Sequence, residues 1–187
     1  LFNELPEHLK PVFEFGVNTG CRDQELCNLR WDWLKKIDDT LWYFELPKGS
    51  TKNNQVRPVI LNSTAKSIVE SLVGNNPEYI FSYEGQKLGR LNKSAYRKAR
   101  VRAGKVMPDI LKTNVHSLRH SFGERLTESD VPWDWKQALL GHNPKEVTWR
   151  YSHYYKGKVN LLKLLEFVER LVRYSYLDEA QKIGRVA

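Results

Sequence analysis

The sequence predicts a mainly α protein with one small antiparallel β-sheet, an α+β fold in a single domain. Three observations carry that prediction. Apolar residues recur at steps of three and four through most of the chain. One pair of extended, apolar segments flanks a Lys48-Gly49-Ser50 turn. No Pro/Gly/Ser-rich stretch is long enough to divide the 187 residues into separate cores, and neither an internal repeat nor a low-complexity tract is present.

In residues 6–18, Leu9, Val12, Phe13, Phe15 and Val17 suit a buried helix, which the Thr19-Gly20 turn ends. A second helix is expected from about Cys21, with Leu26 and Leu29 at helical spacing, running out before Trp31-Asp32-Trp33. Residues 41–46 are aromatic and aliphatic, and residues 56–61 resume an extended pattern, so the two form a small sheet with a polar hairpin tip. After Ser63 the chain turns helical from Ser67 to Leu72, and Gly74-Asn75-Asn76-Pro77 closes that segment. Residues 89–105 read as a basic helix, with Arg90, Lys93, Arg97 and Arg100 along one side and Leu91, Ala95 and Ala99 along another. Further helices are expected at 117–126 and 133–140. The last, 159–174, carries Leu161, Leu162, Leu164, Leu165, Val168, Leu171 and Val172, a strongly apolar set for a surface helix. Such a face is met either by the chain's own core or by a neighbouring protomer.

Thirty Lys and Arg against 22 Asp and Glu leave a net charge of +8, which favours a polyanionic partner: DNA, RNA or an anionic membrane surface. No apolar run approaches the roughly 18 residues that span a bilayer, and the N-terminus lacks a signal-peptide pattern. A soluble, intracellular protein is expected. Cys21 and Cys27, expected on one helix, are six positions apart and so on different faces, which argues for reduced thiols. The chain opens at Leu1 and its single methionine is Met107, as in a fragment of a longer protein.

Four separated segments present polar groups beside turns. In Thr19-Gly20-Cys21-Arg22-Asp23-Gln24-Glu25, Arg22 and Glu25 can share a helix face; the bland alternative is a surface ion pair. Lys52 sits at the hairpin tip beside Asn53 and Asn54, where lysines are ordinarily just solvated. Val115-His116-Ser117-Leu118-Arg119-His120 puts His116 and Arg119 three apart at a helix start, so both can project into one cleft. His120, four after His116, could suggest a metal pair, but no further ligand follows nearby, and a packed helix residue is expected instead. The fourth segment is Leu140-Gly141-His142-Asn143-Pro144, followed by Trp149-Arg150-Tyr151.

Taken in order, an Arg after Thr-Gly, a hairpin Lys, His-x-x-Arg-His, Leu-Gly-His, and a Tyr nine residues beyond that His resemble the tyrosine recombinase (phage integrase) family, over residues 5–155. The resemblance implies the catalytic-domain fold of that family and a site-specific recombinase or integrase. It makes Tyr151 the nucleophile, Arg22 and Arg119 the phosphate-clamping arginines, and Lys52 the general acid, with Lys48 as fallback. His116 and His142 complete the active site and Glu25 supports it; Tyr154 and Tyr155 are near competitors of Tyr151. It further implies cleavage through a 3′-phosphotyrosyl intermediate without metal, ATP or other cofactor. Its implied partners are double-stranded DNA attachment sites and three further copies on DNA, the protein being a monomer when free, in a bacterial cytoplasm or nucleoid. A separate N-terminal DNA-binding domain is implied outside these residues, and packing of the segment from about 159 onward on a neighbour is the family habit. DNA backbone contacts fall to Arg90, Lys93, Arg97 and Arg100. The rivals are a type IB topoisomerase or resolvase-like enzyme with the same chemistry, and a catalytically silent DNA-binding relative.

The residue types suit that reaction. A tyrosine oxygen can attack phosphorus and store the bond energy in a covalent link. Two guanidiniums, always protonated near neutrality, can fork onto the non-bridging oxygens.

Overall fold

The computed structural model describes residues 1–52, 54–142 and 158–174. The chain enters through a 3-10 turn, Glu7–Leu9, before helix α1, Lys10–Thr19, so the expected helix starts four residues later than its apolar spacing suggests. Pro11 sits in the first turn of α1, where its missing N–H costs no helical bond. Helix α2 is just Asp23–Cys27; Leu29 lies beyond it and Cys21 in the turn before it, so the two cysteines do not share a helix. Both are buried and free.

Strands β1, Leu34–Lys36, β2, Trp42–Leu46, and β3, Arg57–Ile60, form an antiparallel sheet in that order, with Leu34 opposite Phe44 and Phe44 opposite Val59. The sequence reading missed β1 because Leu-Lys-Lys has no β-branched run; lysines are what an edge strand tolerates. Trp42 covers this edge with Lys36 Nζ 3.7 Å and Lys66 Nζ 4.7 Å from its ring centroid.

Helix α3, Ser63–Ser71, is capped by Asn62, whose side chain accepts from Ala65 N at 2.8 Å. The Asn62 amide also donates to Asn18 Oδ1 at 3.1 Å and to the Val168 carbonyl at 3.3 Å. One buried side chain thus ties three segments together. A second, unexpected hairpin pairs β4, Ser82–Tyr83, with β5, Gln86–Lys87, across Glu84-Gly85, both at positive φ (50° and 74°).

Helix α4 spans Ser94–Gly104. Arg90 and Lys93 precede it, so the four expected cations do not form one helical stripe, and its buried side is Tyr96, Ala99 and Ala103, with Ala95 half-buried. Helices α5, Ser117–Glu128, and α6, Trp133–Leu140, lie where the periodicity puts them. Helix α7, Lys158–Glu169, continues as a 3-10 turn, Arg170–Tyr174.

Two apolar clusters result. Phe13, Phe15, Leu26, Phe44, Val59, Val69, Ile80 and Tyr96 belong to the first. Leu41, Ile60, Phe122, Leu126, Leu139, Leu140, Leu161, Leu164, Phe167, Val168 and Leu171 belong to the second, so the apolar face of α7 packs on its own chain. The sheet contributes to both. Arg125 anchors the join from inside, donating to the Val17 carbonyl at 3.1 Å and to the Leu171 carbonyl. No helix among the described residues is long and apolar enough to cross a membrane.

Candidate active site

Helix α1 ends on Gly20 in the left-handed conformation, φ 63°, and the chain turns so that Arg22 becomes the N-cap of α2. Glu25, at the third position of that helix, accepts from Arg22 N at 2.9 Å and from Arg22 Nη1 at 2.8 Å. This is not a surface pair: the side chains are 20% and 2% exposed. A second guanidinium reaches the same carboxylate, Arg57 Nη1 donating to Glu25 Oε2 at 2.6 Å. Burial works to raise the Glu25 pKa, but Arg57, and then Arg22 with its backbone and side-chain bonds, hold it below the usual carboxylate range.

Arg57 carries the site from the first residue of β3 and was absent from the sequence-based set. It is 5% exposed, and its Nη2 donates to the Leu139 carbonyl at 2.8 Å. The signal was present: an arginine inside an otherwise apolar strand segment must find a partner when the strand is buried. What the sequence lacked was the identity of that partner, 32 residues away.

Arg119, on the first turn of α5, is 4% exposed and donates to the Gly20 carbonyl at 2.6 Å and to the Leu140 carbonyl. Burial first, then the positive charges of Arg57 and Arg22, push its guanidinium down to about 9, still cationic at neutral pH. Arg22 and Arg119 therefore share one electrostatic environment.

Leu140 ends α6, Gly141 turns the chain at φ 59°, and His142 follows with Nδ1 2.8 Å from Gln137 Oε1. The His142 pKa is lowered by burial and by the charges of Arg119, Arg22, Arg57 and His116. His116 caps α5 on the same side; burial, then His120, Arg119, Arg22 and Lys52, lower its pKa as well. His120 is exposed rather than packed, and stands edge-on to His116 with ring centroids 4.8 Å apart. One helical turn separates the two, so both face the side of α5 that the core leaves open.

Arg22, Thr51, Arg57, Gly141 and His142 line one small cleft. Lys52, next to Thr51 at the hairpin tip, is exposed, as is Lys48; the Lys52 charge is among those felt by His116. Tyr151, Tyr154 and Tyr155 lie outside the described residues. Arg90, Lys93 and Arg97 are exposed, whereas Arg100 turns inward, Nη1 donating to the Thr113 carbonyl at 2.6 Å, and so departs from the expected DNA-facing set. Among the described residues no group of three or more His, Cys, Asp or Glu could hold a metal ion.

The fold is that of tyrosine recombinase catalytic domains. It is similar to the Tn1549 transposon integrase in complex with circular intermediate DNA (TM-score 0.58, 17% identity, 78% of this chain and 53% of that one). It is equally similar to the XerH site-specific recombinase bound to difH substrate (TM-score 0.58, 20% identity, 85% and 47%). Residues 2–158 match the phage integrase family model, and the chain belongs to that family. Among curated relatives, the integrase of Salmonella phage P22 is 30% identical over 166 residues, covering 82% of this chain and 41% of its own length. Transposase B from transposon PsiTn554 of Staphylococcus aureus is 28% identical over 181 residues, covering 91% and 28%. The chain spans less than half the length of these two relatives.

Proposed function

We propose that this chain is the strand-transferring part of a site-specific DNA recombinase that acts through a 3′-phosphotyrosyl intermediate, with neither metal nor ATP. One observation carries the reading: two arginines and two histidines from three separate segments converge, and Glu25 holds one of the arginines in place.

Arg22 and Arg119 would meet the non-bridging oxygens of a scissile phosphate, where each donor aimed at developing charge is worth about 3–4 kcal/mol, or 10²- to 10³-fold in rate. Tyr151 Oη would attack phosphorus, its proton passing to His116 or His142. Both histidines have lowered pKa values, which makes an imidazole available to accept at neutral pH. The departing 5′-oxygen would take its proton from Lys52. Rejoining is the same sequence reversed, with a 5′-hydroxyl attacking the phosphotyrosine. Double-stranded attachment sites are the substrate, and four copies on DNA the working assembly, with a monomer when free. The solved XerH complex holds difH DNA. The exposed Arg90, Lys93 and Arg97 would contact backbone phosphates. A bacterial cytoplasm is the setting this chemistry fits.

A nicked suicide substrate in EDTA tests the proposal. A covalent protein–DNA adduct is expected from the intact protein and none from Tyr151→Phe. Binding without an adduct from the unaltered protein, or cleavage that needs Mg²⁺, overturns it. Relaxation of supercoiled plasmid without strand exchange assigns the same chemistry to a topoisomerase.

A further inference from the structure

We infer that Arg57 is a positioning residue for strand cleavage, holding the Arg22 and His142 sides of the cleft in register through one guanidinium; this rests on the recombinase reading above. Its Nη1 holds Glu25, the carboxylate that also receives Arg22. Its Nη2 holds the Leu139 carbonyl in the last turn of α6, three residues before His142. Its Nε is buried and makes no hydrogen bond among the described residues.

The glycine of Leu140-Gly141-His142 gives the same answer from the other side. A Cβ at Gly141 would stand 2.4 Å from Arg57 Cδ and 2.6 Å from Arg57 Nε, so the arginine lies directly against the backbone that presents His142. Arg119 completes the brace by holding the Leu140 carbonyl and the Gly20 carbonyl two residues before Arg22. Arg57 and Arg119 are thus parallel cross-ties between the α2 turn and the end of α6. Loss of the first tie would destabilise the fold strongly if it left the buried Glu25 carboxylate without a partner. Arg22 would remain with Glu25 in its absence.

The test compares Arg57→Met and Arg57→Lys in the intact protein. Arg57→Met is expected to fold and to bind DNA with unchanged Kd, while cleavage of the suicide substrate at saturating DNA falls about 10²-fold, the scale of a displacement of about 1 Å at a reacting centre. Arg57→Lys recovers part of that rate, since an ammonium can reach Glu25 or the Leu139 carbonyl but not both in fork geometry. Gly141→Ala, which drives a methyl group into Arg57 and also strains a left-handed backbone, causes a similar loss alone and a smaller further loss in the Arg57→Met background. Cleavage by Arg57→Met at the original rate, a loss that follows only the unfolded fraction, or additive losses in the double variant would each overturn the inference.

A DNA-free measurement separates this failure from that of the recombinase reading. In NMR titrations Arg57→Met shifts the His142 imidazole resonances and raises their midpoint, with Arg119, Arg22 and His116 still acting on that ring. An unmoved His142 overturns the positioning role, even in a protein that forms no adduct.

Discussion

Two glycines hold the residue-scale geometry. At Gly20 a Cβ would meet Phe122 Cδ1 at 2.3 Å, and the left-handed φ of 63° is itself costly for any other residue. Phe122 is 1% exposed and cannot step aside. Gly20→Ala is therefore expected to lose about 2–5 kcal/mol in urea unfolding, about 1–2 from the backbone and about 1–3 from overpacking. The histidines set a pH dependence. His116 and His142 have folded pKa values below 6.5, so the folded protein binds fewer protons than the unfolded one between those values and 6.5. Stability present above pH 6.5 is lost as pH falls through the depressed folded values, and Glu25 adds a further loss below 4.5. Urea midpoints measured from pH 7.5 to pH 5 should fall, and less steeply in a His116→Asn/His142→Asn variant. Arg22, Glu25, His116, Arg119 and His142 could be picked out as candidates because their motifs resemble those of the family, each beside a turn. Arg57 could not, because its meaning depends on contacts with residues 25 and 139, which strand patterning does not encode.

At the scale of elements, the helices with a one-sided apolar pattern were read to within a few residues, and the two shortest strand pairings were not. A three-residue strand of Leu-Lys-Lys and a two-by-two hairpin are fixed by partners rather than by their own composition. Helix α4 shows how a charge pattern misleads. Spacing alone put Arg97 and Arg100 on one solvated side, yet Arg100 caps the Thr113 carbonyl while Arg97 stays outside. The two should separate experimentally. Arg97→Ala is expected to flatten the salt dependence of log K for DNA by about 0.9 per lost phosphate contact. Arg100→Ala should leave that slope unchanged and cost about 1–3 kcal/mol of stability. Equal slopes for both variants would show that Arg97 touches no phosphate.

In the molecule as a whole the cleft sits where the two apolar clusters meet. Arg22 and Glu25 come from elements of the first, Leu139 and Leu140 from the second, and Arg57 and Arg119 cross between them. Helix α7 closes the second cluster from the far end of the chain, with Leu164 only 1% exposed. Leu164→Ala is expected to cost about 2–5 kcal/mol in urea unfolding, the range for a buried leucine whose cavity collapses incompletely. The sequence left the partner of this helix open, because periodicity identifies an apolar face without saying what covers it.

Cys21 lies between Gly20 and Arg22, 2% exposed, and burial pushes its thiol up to about 11, partly offset by Arg57. A disulfide reagent at mild pH should thus find almost no thiolate there until the polypeptide around the clamp breathes. The rate of labelling becomes a clock for that breathing, and DNA that grips Arg22 ought to slow it. The sulfur is a native reporter placed one residue from Arg22.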